Sequence, residues 1–282
     1  MSFFYRLFLA VFFCGLVATQ SRAQSQSGPT APYLIFKTTY AFPAGSQKIN
    51  EASTIVNNKT FTKGIYGSYG QGINLSLGVG KMLNPTFGVE LDAQVMLGNA
   101  ITTTYATDEF NLSGSQSDRV RSVLLKPFIV IRNSGDLLAI YTKLGLAIST
   151  YGRRYEQEEV IYTFNGQTYQ QISESTETAN VKVGFAACFG LSFRIAESVS
   201  VFAEANGQIM ALPFTKGHYT KYTENGKDVL PSKSTSEQSW VYERSTTSDP
   251  NAPADDSRPG VRLYDPAYFS YMGIGVGFIY HF

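Results

Sequence analysis

The chain has 282 residues, of which 16% are charged and 14% aromatic, with 25 glycines. That length allows one large β domain or two ordinary ones, and so few charges beside so many rings suit an all-β protein with an apolar exterior or a large aromatic core. A formal net charge of +1 argues against a nucleic-acid partner, which calls for a basic domain.

The N-terminus reads as an export signal. Arg6 is the only charge before the apolar run from Leu7 to Val17, a length that suits the hydrophobic core of a secretory signal. Ser21-Arg22-Ala23 then offers small residues at both positions a signal peptidase reads, placing the cut before Gln24. A membrane anchor needs about 20 apolar residues, more than this run holds. Attachment of lipid at Cys14 is disfavoured because Phe12 and Phe13 stand where small residues are required. Residues 1–23 are therefore expected to be removed, and 24–282 to form one domain. The loss of Arg6 and Arg22 from 23 basic residues leaves 21 against 22 acidic ones. Cys188 is then the one cysteine left, so no internal disulfide can form.

Beyond the signal, apolar residues recur every second position rather than at helical spacing. Eight such segments are predicted, at about 32–41, 72–82, 87–98, 120–132, 137–151, 180–194, 199–213 and 267–282. Most run 10 to 15 residues, whereas strands of soluble proteins cluster near about 5 or 6 and a tilted strand crossing a bilayer needs about 9 to 11. Three connections are short and turn-like: Leu83-Asn84-Pro85-Thr86, Asn133-Ser134-Gly135-Asp136 and Ala196-Glu197-Ser198. The other four, near 42–71, 99–119, 152–179 and 214–266, are long and polar. This alternation predicts an eight-stranded antiparallel up-and-down transmembrane β-barrel, with three short periplasmic turns and four long extracellular loops.

The two faces of each strand differ sharply. Phe87, Val89, Leu91, Val95 and Leu97 alternate with Gly88, Glu90, Asp92, Gln94 and Gly98; Val183, Phe185, Phe189 and Leu191 alternate with Gly184, Ala186, Cys188, Gly190 and Ser192. Summed over all strands, the apolar set comes to roughly 40 to 50 side chains, while a barrel of this size encloses about 12 in three layers. The apolar face must then look outward at lipid, and the polar, glycine-rich face must line the lumen.

The chain ends on Gly275-Val276-Gly277-Phe278-Ile279-Tyr280-His281-Phe282. These residues resemble the C-terminal signal by which outer-membrane barrels are recognised by the barrel assembly machinery, a polar residue followed by any, Gly, any, any, aromatic, any, aromatic. Gly277, Tyr280 and Phe282 match it, and Gly275 departs from the polar first position. With the signal and the strand pattern, the chain resembles the small bacterial outer-membrane β-barrel superfamily, which includes OmpA transmembrane-domain and OmpX-like proteins. The resemblance implies residence in the bacterial outer membrane, contact with its lipid and lipopolysaccharide, and a transient partnership with the assembly machinery. It implies no activity, because this fold hosts anchors, pores, adhesins and enzymes alike.

By parity, Lys37, Glu90, Asp92, Lys126, Lys143, Lys182, Arg194 and Glu204 should point into the lumen. They form either a selectivity constriction or, as the favoured reading, an ion-pair network that plugs the barrel. The inward glycines are expected to make room for long side chains opposite, and Pro127 to mark an irregularity in its strand. No metal site or cofactor is predicted. Asp255 and Asp256 match no calcium-loop spacing, and Arg153, Arg154, Glu156, Glu158 and Glu159 read as a solvated cluster. His218 has no assignable carboxylate to orient it, so no enzyme is expected. The function expected is a structural or surface-binding barrel presenting loops to an unknown ligand, with a narrow ion or solute channel as the alternative and a lipid-modifying enzyme third.

Overall fold

A computed structural model describes residues 31–282 apart from 45–46, 57–58, 108–110, 134, 136, 246–255 and 265. The proposed signal, residues 1–23, lies outside the described residues. Among these residues no helix is long and apolar enough to cross a membrane.

The central feature is a ring of strands: β1 (Pro32–Pro43), β2 (Gly72–Met82), β3 (Phe87–Gly98), β4 (Leu112–Arg132), β5 (Leu138–Phe164), β6 (Lys182–Ala196), β7 (Val199–Ile209) and β8 (Tyr271–His281). Each pairs antiparallel with the strand before and after it in this order. The last pairs with the first, from Tyr33 opposite His281 to Pro43 opposite Tyr271. No edge is left within the ring, so each of its strands has a hydrogen-bonding neighbour on both sides. Phe282 adds to the seam by donating its N–H to the Pro32 carbonyl at 3.3 Å.

The period-two pattern lands as expected. On β3, Gly88, Glu90, Asp92, Gln94 and Met96 are buried, while Phe87, Val89, Leu91 and Leu97 are exposed. Phe185, Ile274 and Phe278 belong to the same outward belt, at 71%, 62% and 48% exposure. An apolar surface that encircles the molecule far exceeds the few hundred Å² usual on soluble monomers.

Glycines of the ring lie under the bulky side chains of neighbouring strands. Tyr33 sits directly opposite Gly80, Tyr141 opposite Gly190 and Phe202 opposite Gly277, and each ring lies across its glycine. A side chain at the glycine would occupy the space the ring fills, so glycine here serves as a socket. Pro127 faces Leu91 on β3, but the pairing of β4 with β5 lapses at Lys126 and Pro127. A proline has no N–H to donate, and the ladder is interrupted beside it as predicted.

The long connections are not loops. β4 and β5 stay paired well past the ring, as far as Ser113 opposite Ile161. Strand Gln167–Ala179 then folds back on β5, and Phe214–Glu224 adds to that. Ser239–Glu243 follows, with Gly260–Leu263 parallel to it. On the other flank Ile101–Thr107 pairs with β4, and Gln47–Val56 and Lys59–Gly67 form a hairpin beside it. The polar loops expected at 42–71, 99–119, 152–179 and 214–266 are thus largely strand, because a polar segment can still pair its backbone in a ladder. Two turns account for much of this: Asn165-Gly166 and Asn225-Gly226 have φ values of 50° and 75°, and 49° and 77°, the left-handed pair that joins tight hairpins.

Gly190→Val tests the socket arrangement. Its Cβ would lie 2.5 Å from the Tyr141 ring and 2.9 Å from the Ala203 carbonyl, so a loss of about 1–3 kcal/mol is expected. Urea unfolding in lipid vesicles measures it, and an unchanged midpoint would mean that the glycine is not serving as a socket.

Candidate functional site: the barrel interior and the outer sheet

The interior of the ring is layered. At the short-turn end, Tyr33, Ile35, Met82, Val130, Tyr141, Phe202 and Ile279 pack into an apolar cluster. Above it lie the charges, and above those a second apolar cluster seals the other end with Tyr69, Met96, Leu124, Leu212, Phe214 and Phe269.

The charges come from alternate strands. Lys37 is on β1, Glu90 and Asp92 on β3, Lys143 on β5 and Glu204 on β7. Facing the carboxylates on β2, β6 and β8 stand glycines: Gly80 opposite Glu90, Gly78 opposite Asp92, and Gly190 and Gly275 on either side of Glu204, whereas β4 sets Phe128 opposite Glu90 and Lys126 opposite Asp92. Lys37 donates to Glu204 at 2.7 Å and to Asp92 at 3.2 Å. Lys143 donates to Glu90 at 2.5 Å and lies 3.7 Å from Glu204. Tyr33 donates its hydroxyl to Glu90 at 3.2 Å, Tyr141 donates to Glu204 at 3.0 Å, and the Asn206 amide adds a further donor to Glu204 at 3.3 Å. Each of these five charged side chains is at most 5% exposed, a burial that requires such partners.

Three of the eight predicted lumen residues behave differently. Lys126 is buried but donates to the Tyr271 hydroxyl at 2.9 Å and pairs with no carboxylate among the described residues. Its backbone stands directly opposite Asp92 on β3, and it brings the buried layer to three lysines against three carboxylates. Lys182 and Arg194 are exposed, at opposite ends of β6, and neither joins the network. Their parity is inward, but they lie where the ring has ended and water takes over. Parity says which face a residue is on, not how deep it sits. The tyrosines and Asn206 carry no formal charge and so were not expected in the network, although they share the inward parity of Lys37, Lys143 and Glu204.

Two cavities within the ring, one beside Lys126 and Tyr271 and one beside Tyr33 and Arg132, measure about 10 and 20 Å³. Each is on the order of a single water. Of the C-terminal signal residues, Gly277 is the socket for Phe202, while Tyr280 and Phe282 are exposed at the short-turn rim with their rings edge to face at 5.3 Å.

The outer sheet carries a second constellation. Glu177 is fully buried there. It pairs with Arg154 at 2.5 Å and accepts from the Tyr242 hydroxyl at 2.6 Å and the Trp240 indole at 3.2 Å. Arg154 is therefore a structural cation and not part of a solvated cluster. Beside it, Asp118 and Glu156 stand directly opposite on β4 and β5, and the Gln116 amide donates to both, at 3.2 and 3.3 Å. Burial, with the facing Asp118 carboxylate adding to it, pushes Glu156 up to about 7.

Next to Glu177 a cavity of about 380 Å³ opens, lined by Tyr219, Tyr222, Leu230, Lys233, Ser236, Glu237, Trp240, Val261 and Arg262. The Arg262 guanidinium lies 3.7 Å over the Trp240 ring, and Lys233 lies 5.1 Å over Tyr222. Gly217 is opposite Trp240 and leaves space for its indole. In the sequence, Trp240, Tyr219 and Tyr222 stand out only as residues of a long polar stretch. His218, on the same strand, is exposed and has no carboxylate hydrogen-bonded to it among the described residues. Asp255 lies outside the described residues, and Asp256 accepts a hydrogen bond from Ser236 at 3.2 Å.

No protein-family model and no curated protein matches the sequence. Among solved structures, the chain is similar to Ail, the attachment invasion locus protein of Yersinia pestis, at 11% identity over 89% of this chain and 96% of that one, with a TM-score of 0.29. It is also similar to Acinetobacter baumannii CarO, at 13% identity over 92% and 100%, with a TM-score of 0.31. At these scores no residue role is carried over from either protein.

Two outcomes test the site. Lys143→Met leaves Glu90 buried without its cation and is expected to cost about 3–5 kcal/mol, whereas Lys143→Met with Glu90→Gln recovers a large part of that. A double-variant loss in urea unfolding equal to the sum of the Lys143→Met and Glu90→Gln losses would show that the pair does not interact. For Glu156, the folded carboxyl holds its proton to higher pH than the unfolded one. Stability of the outer sheet is therefore greatest below the unfolded value and falls as pH rises toward 7. Hydrogen exchange of residues 152–179, corrected for intrinsic rates, should show weaker protection at high pH, and Glu156→Gln should flatten the trend.

Proposed function

We propose that the protein is an integral protein of the bacterial outer membrane, an eight-stranded antiparallel up-and-down barrel whose lumen is closed and whose activity is binding at the cell surface. The short connections face the periplasm, and the strands that continue past the ring form the exterior platform. The observation that carries this reading is the buried layer of Lys37, Glu90, Asp92, Lys143 and Glu204 between two apolar clusters. Charges paired at 2.5–3.2 Å and capped on both sides do not offer an ion the hydration it must retain to pass.

The outward apolar belt supports membrane insertion, since a closed ring is the form of β-sheet that satisfies its backbone in lipid. Exposed Tyr280 and Phe282 suit an interfacial aromatic girdle and recognition by the assembly machinery. No catalytic role is assigned: His218 sits on an exposed strand face without an orienting carboxylate among the described residues. Removal of residues 1–23 as a signal belongs to the same reading.

Refolded residues 24–282 should be electrically silent in planar bilayers, and Glu90→Gln/Asp92→Asn should be silent too. Steady conductance that shifts with the double substitution would replace the closed barrel with a working channel.

A further inference from the structure

We propose that the outer cavity beside Trp240 binds a small planar organic carboxylate, held by Arg262 and Lys233. Such a site deepens the surface-binding reading and rests on it. The cavity volume of about 380 Å³ falls in the range of about 300–1,000 Å³ usual for small-molecule sites.

Charge favours an anion. Glu177 is already engaged by Arg154, Tyr242 and Trp240, and Arg262 comes no nearer to it than 4.0 Å. Among the described residues the Arg262 guanidinium makes no side-chain hydrogen bond. Lys233 lies 3.7 Å from Glu237 and 3.9 Å from Glu224, loose and exposed pairings. Glu237 itself accepts from the Ser234 backbone N–H and hydroxyl, both at 2.9 Å. The wall therefore carries two under-engaged cations and one carboxylate committed elsewhere.

Shape narrows the choice. The guanidinium rests on the Trp240 face, 3.7 Å from the ring centroid, and the indole is in turn fixed by its hydrogen bond to Glu177 and the edge of Tyr219 at 5.2 Å. A guanidinium held this way offers a two-pronged edge that matches a carboxylate and a flat outer face that matches a ring. Leu230 and Val261 add apolar wall for the ligand body. A conjugated carboxylate meets all three demands at once, and little ordering is needed when it binds.

Trp240 is the chain's single tryptophan, so its fluorescence reports on the cavity directly. Benzoate should change the emission of the vesicle-refolded protein saturably, cyclohexanecarboxylate more weakly, and benzyl alcohol not at all. Arg262→Gln and Lys233→Gln should each weaken benzoate by roughly tenfold to a hundredfold, the scale of a lost charged hydrogen bond. If Arg262→Gln alters the emission before ligand is added, the Lys233→Gln titration decides. No saturation with benzoate overturns the proposal, as does equal response to benzyl alcohol or cyclohexanecarboxylate, or titrations unchanged by substitution. Bilayer conductance of the same preparation separates the two readings. Silence without benzoate binding removes the ligand alone, and conductance with benzoate binding removes the closed lumen alone.

Discussion

Closure of β8 onto β1 is the constraint on which the remaining features depend. Once the ladder returns on itself, the strands of the ring alternate between outside and inside, with a break on β4 where Ser122, Val123 and Leu124 are all buried, and the inside has room for only a small number of side chains. The outer face has no such limit, and the aromatic and branched residues gather there. Inside, volume is shared out between paired strands: Tyr33, Glu90, Tyr141 and Phe202 on β1, β3, β5 and β7 stand opposite glycines on β2, β6 and β8. Tyr33 over Gly80 and Tyr141 over Gly190 are instances of that sharing, and the glycines follow from the packing rather than from any need for unusual backbone angles.

The charge layer is a costly way to fill a barrel. Each ion loses its hydration on burial, and the mutual attraction of the pairs roughly offsets that loss. What the network adds is specification. Lys37 joins β1 to β3 and β7, and Lys143 joins β5 to β3 and β7, so four strands are tied across the lumen as well as around it. A slip in register of one residue would turn Glu90 or Glu204 onto the outward apolar face and strip it of its partners, a penalty no apolar contact could offset. The tyrosine hydroxyls complete the coordination of Glu90 and Glu204, which explains why Tyr33 and Tyr141 lie with their rings in the apolar cluster and their oxygens at the ion layer.

Above the ring the same logic of pairing continues. β4 and β5 extend as one ladder, so the outer sheet is continuous with the barrel. Glu177 sits under it much as Glu204 sits in the lumen: fully buried, with Arg154, Tyr242 and Trp240 converging on it. By holding Trp240 in place, this buried carboxylate also sets the position of Arg262 and the floor of the outer cavity.

Much of the barrel was legible in the chain itself. A two-residue period is a local property, so the faces of β3 and β6, the ends of β2 and β3 and the Leu83–Thr86 turn could all be read without knowing what each strand would meet. The Asn-Gly pairs at 165–166 and 225–226 were equally local and marked the outer hairpins, but polar composition drew them into loops. Depth is another matter. Lys126, Lys182 and Lys143 share one parity, and only closure of the ring puts the first beside Tyr271, the second in water and the third on Glu90. The outer cavity was beyond local reading for the same reason. Tyr219, Lys233, Trp240 and Arg262 come from separate strands and turns, and pairing between strands distant in sequence is what brings their side chains to one wall.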